Sequence, residues 1–516
     1  MPRIHGGHES PLSNELHECC QSDSLSEEGL QQIIERHECQ PNNYDYEGDY
    51  KFFLVACINQ RVIEGIIRCL LEYFPAAARA TDSSGQLPLH YACRNSNMTL
   101  RIIQLLIDAA PDSVCSVTNF GSMPLHYLCR NKALDEATAI QILNLLIEKH
   151  PEAVKHARND GLLPIHLAAI SKPPEYCRVL IKAYPGSERI SNVDGDLPLH
   201  CACTRNTVAT VEYLYKLYPD AINNATTKGY CPIHYAIGSV LRSRDDPITA
   251  VDIVKFLLKC DPTVKLQKFE GTESLLHFAC VLVYNDSTVD AALEIIKAIY
   301  DAHPEAIEDN RIASYVPDVD PPVRAFINSQ LFYARQAKDH HQMTTPDSNG
   351  QLPLHTALQN NVRLGSIKLL VKGNTHAVQS PDNRGALPLH IACQLHESAS
   401  VIQYLVGLDA TTLDAVDREG NTALHLACHC ARHHIIAMLL EKYDAVSVSK
   451  RNAQKKLPIY LLWESNLVPD RESVEYTESI FRLLKAYPEM VMNTDMQKQQ
   501  SCPSPSGKKR KFCNEE

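Results

Sequence analysis

The chain reads as an all-α solenoid, a stack of units each made of a tight turn and two antiparallel helices. Three observations predict this fold class. The phrase Gly85-Gln86-Leu87-Pro88-Leu89-His90-Tyr91-Ala92-Cys93 returns with variations around His126, His166, His200, His234, His277, His355, His390 and His425, and Tyr460 stands in the tenth place. Successive steps are 36, 40, 34, 34, 43, 78, 35, 35 and 35 residues, which is the period of a turn-helix-helix repeat with one step of double length. Each phrase is also followed by an apolar segment with helical spacing, such as Ile102-Ile103-Gln104-Leu105-Leu106-Ile107.

The elements follow in order from their letters. Asp-x-x-Gly, as in Asp82 to Gly85, Asp347 to Gly350, Asp382 to Gly385 and Asp417 to Gly420, is turn chemistry, because Gly accepts the positive φ that closes a tight turn. Pro88, Pro124, Pro164, Pro198, Pro232, Pro353, Pro388 and Pro458 then mark the start of a first helix, where a missing N–H costs nothing. Ile142-Leu143-Asn144-Leu145-Leu146-Ile147 typifies the second, amphipathic helix. That helix is expected to stop at a Pro: Pro111, Pro151, Pro185, Pro219, Pro304 or Pro488.

Over residues 50 to 494 these features resemble the ankyrin repeat family, whose hallmark is Asp-x-x-Gly-x-Thr-Pro-Leu-His-x-Ala-Ala. The resemblance implies about ten to twelve units, degenerate caps included. Two departures mark a divergent set, similar to the large ankyrin sets of some unicellular algae. The Thr before Pro is mostly Leu (Leu87, Leu163, Leu197, Leu352, Leu387, Leu457) and survives only as Thr422, so the His must find other partners. The Gly that ends the family's second helix gives way to endings such as Tyr184-Pro185 and Tyr218-Pro219.

Composition agrees with this architecture. A chain of 516 residues suggests several globular domains, but a solenoid needs no central core. A formal net charge of −11 argues against phosphate-led nucleic-acid binding by the main body. The start of the chain has no apolar secretory core, and no run approaches the roughly 20 apolar residues of a membrane helix, so an intracellular protein, cytoplasmic or nuclear, is expected. Of 19 cysteines, Cys93, Cys129, Cys203, Cys280, Cys393 and Cys428 share one slot in the first helix, and a recurring buried thiol packs as a small hydrophobe.

Five segments result. Residues 1–49 are expected to be largely disordered, with one short helix opened by a capping box at Ser24-x-x-Glu27. Residues 50–307 form a first block of about six repeats, with Phe53 to Leu71 as its N-terminal cap. Residues 308–346 form an irregular insert or, preferably, a disguised repeat with a helix from Val323 to Ala337. Residues 347–494 form a second block of about four repeats, and 495–516 a disordered basic tail. In that tail Lys508, Lys509, Arg510 and Lys511 read either as a nuclear localisation signal or as a solvated run.

No phosphate loop, dinucleotide fingerprint or zinc helix is present. Histidines repeated once per unit lie about 10 Å apart by packed-helix spacing, too far to share one zinc. The cluster His425, Cys428, His429, Cys430, His433 and His434 is the best metal candidate, but His425 and Cys428 already fill repeat slots. The pairs His17-Glu18-Cys19-Cys20 and His37-Glu38-Cys39 are a second. No cofactor, metal or enzymatic activity is expected, and a metal-binding or enzymatic protein acting through these clusters stands as a second alternative.

Function is therefore expected at the surface. The resemblance implies protein partners docked on a concave face built from turn tips and first-helix ends. Mapped by motif, the partner-binding candidates are Ser83, Ser84, Gln86, Arg94, Asn95, Asn119, Phe120, Ser122, Arg130, Asn159, Asp160, Asp194, Asp196 and Tyr230 in the first block. In the second they are Asn349, Gln351, Asn383, Arg384, Arg418 and Glu419. Exposed aromatics and Arg are the types that dominate binding energy. The expected role is a monomeric protein-interaction scaffold or adaptor, with a nuclear regulatory cofactor as the alternative.

Overall fold

The computed structural model describes residues 11–41, 50–241, 247–261, 274–282, 287–308, 312, 320–395, 398–442, 448–467 and 473–487. Among them all regular structure is helical. The chain divides into two compact units, residues 1–302 with 314–324, and residues 303–313 with 325–516.

In the first unit the Pro-Leu-His phrases form short inner helices: Pro88–Arg94, Pro124–Arg130, Pro164–Ala169, Pro198–Arg205 and Pro232–Ser239. Each packs on the next, and Leu275–Val281 continues the row. A second layer is formed by the outer helices Leu100–Ala109, Glu136–Lys149, Pro174–Ala183, Val208–Leu217, Pro247–Cys260 and Val289–Ala302, which pack on one another in the same order. Between the layers the motif residues Leu89, Leu125, Ile165, Leu199 and Ile233 are at most 2% exposed. Burying each such side chain contributes about 1.5–3 kcal/mol, and every repeat supplies one to its neighbours.

The prolines expected to end the outer helices do more than stop them. Pro111, Pro151 and Pro219 each open a 3-10 turn of five residues, Pro111–Cys115, Pro151–Lys155 and Pro219–Asn223, which carries the chain back toward the next finger, the tight turn that opens each repeat; Pro75, not among those expected, does the same over Pro75–Arg79. A residue with φ near −140°, such as His150 or Tyr218, links helix to turn. That conformation fits the β-region bias that Pro imposes on the residue before it.

The N-terminal expectation needs correcting. Where one short helix is expected before residue 50, the described residues 11–41 hold a helix pair, Pro11–Gln21 and Glu27–Arg36. Leu16, Cys20, Leu30 and Ile34 of this pair are buried in the same core as Phe52, Phe53 and Ile67. The cap of the second helix is Ser26, whose hydroxyl accepts the Gly29 N–H at 3.1 Å, and not Ser24. Lys51–Ile58 and Glu64–Tyr73, expected as the N-terminal cap, are therefore themselves covered by this pair.

The second unit repeats the plan with inner helices Pro353–Gln359, Pro388–Leu395, Ala423–His429 and Pro458–Glu464. Its outer helices are Leu364–Gly373, Ala399–Leu408, His433–Leu440 and Val474–Ala486. In the expected insert, an 18-residue helix spans Pro321–Lys338 and a short one His340–Thr344. Gln330 on the long helix accepts the Ser366 hydroxyl at 2.6 Å, and the backbone at Ala337 lies so close to Gly373 that a Cβ there would meet it at 2.5 Å. The boundary also shifts. The 3-10 turn Pro304–Glu308, expected to close the first block, belongs to the second unit, where Glu305 pairs with Lys372 at 3.3 Å.

Candidate functional site

The motif histidines lock each inner helix to the following finger. His166 is fully buried; its Nδ1 accepts the Leu163 N–H at 3.1 Å, so Nε2 must carry the proton that it donates to the Asp196 carbonyl at 3.1 Å. His90, His126, His200, His355, His390 and His425 repeat both bonds. These are the partners that the missing Thr left open. Where Thr survives, the Thr422 hydroxyl adds a 2.8 Å bond to His425. Burial holds the rings of His90, His126, His166 and His234 neutral, with pKa values lowered to about 4.

The fingers are joined through their main chains. Asn119 N–H donates to Ser84 O, Asn159 N–H to Phe120 O and Val193 N–H to Asp160 O, at 2.9 to 3.3 Å. Gly161, with φ +78°, shows why Gly closes these turns: a Cβ there would lie 2.8 Å from Val193 N.

Sequence reasoning missed a second ladder, made by asparagine amides in the loops after the inner helices. Asn59 donates to Cys20 O and Ser22 O, Asn95 to Cys57 O and Asn59 O, and Asn131 to Cys93 O and Asn95 O, all within 3.2 Å. In the next repeat Lys172 takes over. Its ammonium donates to the Asn131 carbonyl and lies 5.1 Å over the Tyr176 ring. Burial lowers its pKa, opposed by the neighbouring Cys129 thiol. Asn206 then donates to Ala169 O and Lys172 O at 2.8 Å. The signal was present in the sequence as polar residues recurring at the repeat step.

Burial removes three candidates from the surface. Asn95 is 3% exposed and spent on the ladder, Ser122 is 4% exposed and Gln351 8%. Tyr230 is half-buried, within 6.4 Å of the His234, Tyr235 and Phe278 rings. Asn119, Asn159 and Asn383 are exposed but donate their amides to the preceding finger. Asp160 is held 3.0 Å from Arg158, and Asp196 accepts the Tyr235 hydroxyl at 2.5 Å. Ser84 and Gln86 are half-buried, whereas Ser83, Arg94, Arg130, Asp194, Asn349, Arg384, Arg418 and Glu419 are exposed. Lys508 to Lys511 lie outside the described residues.

Three of the candidates, Phe120, Ser122 and Arg130, meet at one place. A depression of about 250 Å³ is lined by Phe120, Tyr127, Arg130, Arg158 and Leu167, with His126 and Ser122 beside them. Phe120 is 60% exposed although aromatic. Tyr127 stands in the motif slot after the His, a slot that sequence reasoning passed over; Tyr91 fills it one repeat earlier. There the Tyr91 hydroxyl donates to Asp82 at 2.7 Å, and burial followed by that bond raises the Tyr91 pKa to about 12. Tyr127 has Thr118 where Tyr91 has Asp82, and its hydroxyl has no such carboxylate to hold it.

Thiol and imidazole clusters do not assemble a metal centre: among the described residues no group of three or more His, Cys, Asp or Glu is arranged to hold an ion. His425 and Cys428 are fully buried in repeat slots, and His37 lies 3.3 Å from Glu15. Burial pushes the Cys428 thiol pKa upward, which suits packing and opposes ligation. No described helix is long and apolar enough to cross a membrane.

Stacked helix pairs joined by backbone-bonded fingers and latched by a buried His define a helical repeat protein. Comparison with protein families makes the class specific. Ankyrin repeats match over residues 84–119, and a three-copy ankyrin repeat profile matches over 323–414 and 367–452. The chain carries ankyrin repeats. No curated protein matches it.

Proposed function

We propose that the protein is a non-enzymatic scaffold or adaptor that holds partner proteins on the face formed by its finger tips and inner helices. Ankyrin repeats are in general protein–protein interaction modules. One observation carries the reading: Phe120, exposed at a finger tip, borders a depression whose walls include Tyr127 and Arg130. A large exposed aromatic beside a guanidinium has no folding use, and it matches the composition of binding hot spots. The cytoplasm or nucleus is the proposed compartment.

A photo-crosslinking amino acid placed at position 120 in cells tests the reading. It is expected to trap a discrete partner protein, whereas the same group at Ile248, 67% exposed on an outer helix, traps none. Equal trapping at both positions, or none at 120, would defeat the proposal.

A further inference from the structure

The inner helices of the first unit end in cations. Arg94, Arg130 and Arg205 are the last residues of three of these side-by-side helices, and Lys132 follows two residues after Arg130. All four are exposed, and none has a carboxylate within ion-pair distance among the described residues. Cations do favour a helix C-terminus, but the inner helix Pro232–Ser239 has no basic residue in its last turn, so this fold does not require one there. The Lys132 pKa is lowered first by burial and then by Arg205 and Arg130, so these charges lie close enough to repel. Charges that repel one another, in a chain whose net charge is −11, are a local inversion of the protein's field. Acidic groups on this face stand at the finger tips, where Asp160 already pairs with Arg158 at 3.0 Å.

We propose that this row takes an extended acidic segment of a partner protein, with one carboxylate seated beside the Tyr127 hydroxyl and the Arg130 guanidinium, against the ring of Phe120. The inference rests on the binding role proposed above and adds the chemistry of the partner. From Arg94 to Arg205 the row crosses three repeat steps, about 30 Å at packed-helix spacing. At about 3.3 Å per residue, nine or ten extended residues span it. A guanidinium fork fits a carboxylate in two-point contact, and the free hydroxyl donates a third bond.

The test uses the full chain and a fluorescein-labelled peptide of about ten Glu and Asp residues, the length set by the span above. Fluorescence anisotropy is expected to show binding that weakens with added salt. The double variant R130E/R205E is expected to lower affinity at least about ten-fold, as reversal of two contacting charges does, while R130K/R205K retains most of it. A single-stranded oligonucleotide of equal charge is the comparator. Tighter binding of the oligonucleotide, or a change of less than about two-fold in the reversed variant, would overturn the inference. If the crosslinker at position 120 still traps its partner in R130E/R205E, the binding role stands and the acidic partner falls.

Discussion

Lowering the pH from about 7 to about 5 is expected to destabilise the first unit by about 2 kcal/mol for each of its most deeply buried motif histidines. His166 illustrates the arithmetic: its ring has a pKa of about 4 in the fold against an ordinary 6.5. In that window the unfolded chain takes up a proton that the native ring refuses, because Nδ1 already accepts the Leu163 N–H and burial penalises charge. Stability is therefore full above 6.5, falls as the pH drops below it, and loses nothing further from this ring once the pH is under about 4. His90, His126 and His234 share the same lowered value. Four such losses sum to about 8 kcal/mol, comparable with the whole stability of a domain. Urea titrations followed by circular dichroism at the two pH values read the loss. In H166Q, stability at neutral pH is expected to fall by about 1–3 kcal/mol through the lost bonds, and the pH-dependent loss to shrink by about 2 kcal/mol. An unchanged pH dependence in H166Q would refute the neutral-ring account.

Other expected outcomes follow from the same geometry. Asn131→Leu leaves the Cys93 and Asn95 carbonyls without their amide donor, and a loss of about 2 kcal/mol in urea unfolding is expected. Gly161→Ala adds a clash with Val193 N at 2.8 Å to an unfavourable φ of +78°, whereas Gly186 has φ +90° and nothing within 4 Å of a new Cβ. The first substitution should cost clearly more than the roughly 1–2 kcal/mol of backbone strain expected for Gly186→Ala, and equal melting temperatures would contradict this. Cys115 is exposed while Cys93 and Cys129 are buried with raised pKa values. Titration with a thiol reagent should therefore show a fast phase that loses one equivalent in C115S.

The repeating core was legible because one pattern imposes it many times. Pro at the helix start, His in the latch, a small residue after it and Gly in the turn each answer a local steric or hydrogen-bonding demand. Elements without such a demand were harder to read. The buried apolar residues of the helix pair Pro11–Arg36 are Leu16, Cys20, Leu25, Leu30 and Ile34, and none of these letters belongs to the repeat phrase. The 3-10 turns were hidden because Pro111 or Pro219 stops one helix and starts another element with the same ring. At the candidate site Phe120 and Arg130 were readable as an unusual tip residue and a helix end. Tyr127 and Arg158 were not, because their convergence depends on how the repeats Pro124–Arg130 and Pro164–Ala169 stack, which no single unit's letters disclose. Asn95 misled for the opposite reason: a polar side chain in a loop looked solvated, yet it satisfies two carbonyls of the preceding repeat.

The finger-to-finger bonds run between a main-chain N–H and a main-chain oxygen, as from Asn159 to Phe120 and from Arg418 to Arg384. Apart from amides such as those of Asn119, Asn159 and Asn383, side chains at the tips are thus relieved of the main duty of joining one unit to the next. Residues there are free to drift under selection for contact alone while the scaffold beneath stays intact, so a new specificity can arise by changing a few tips without redesigning the fold.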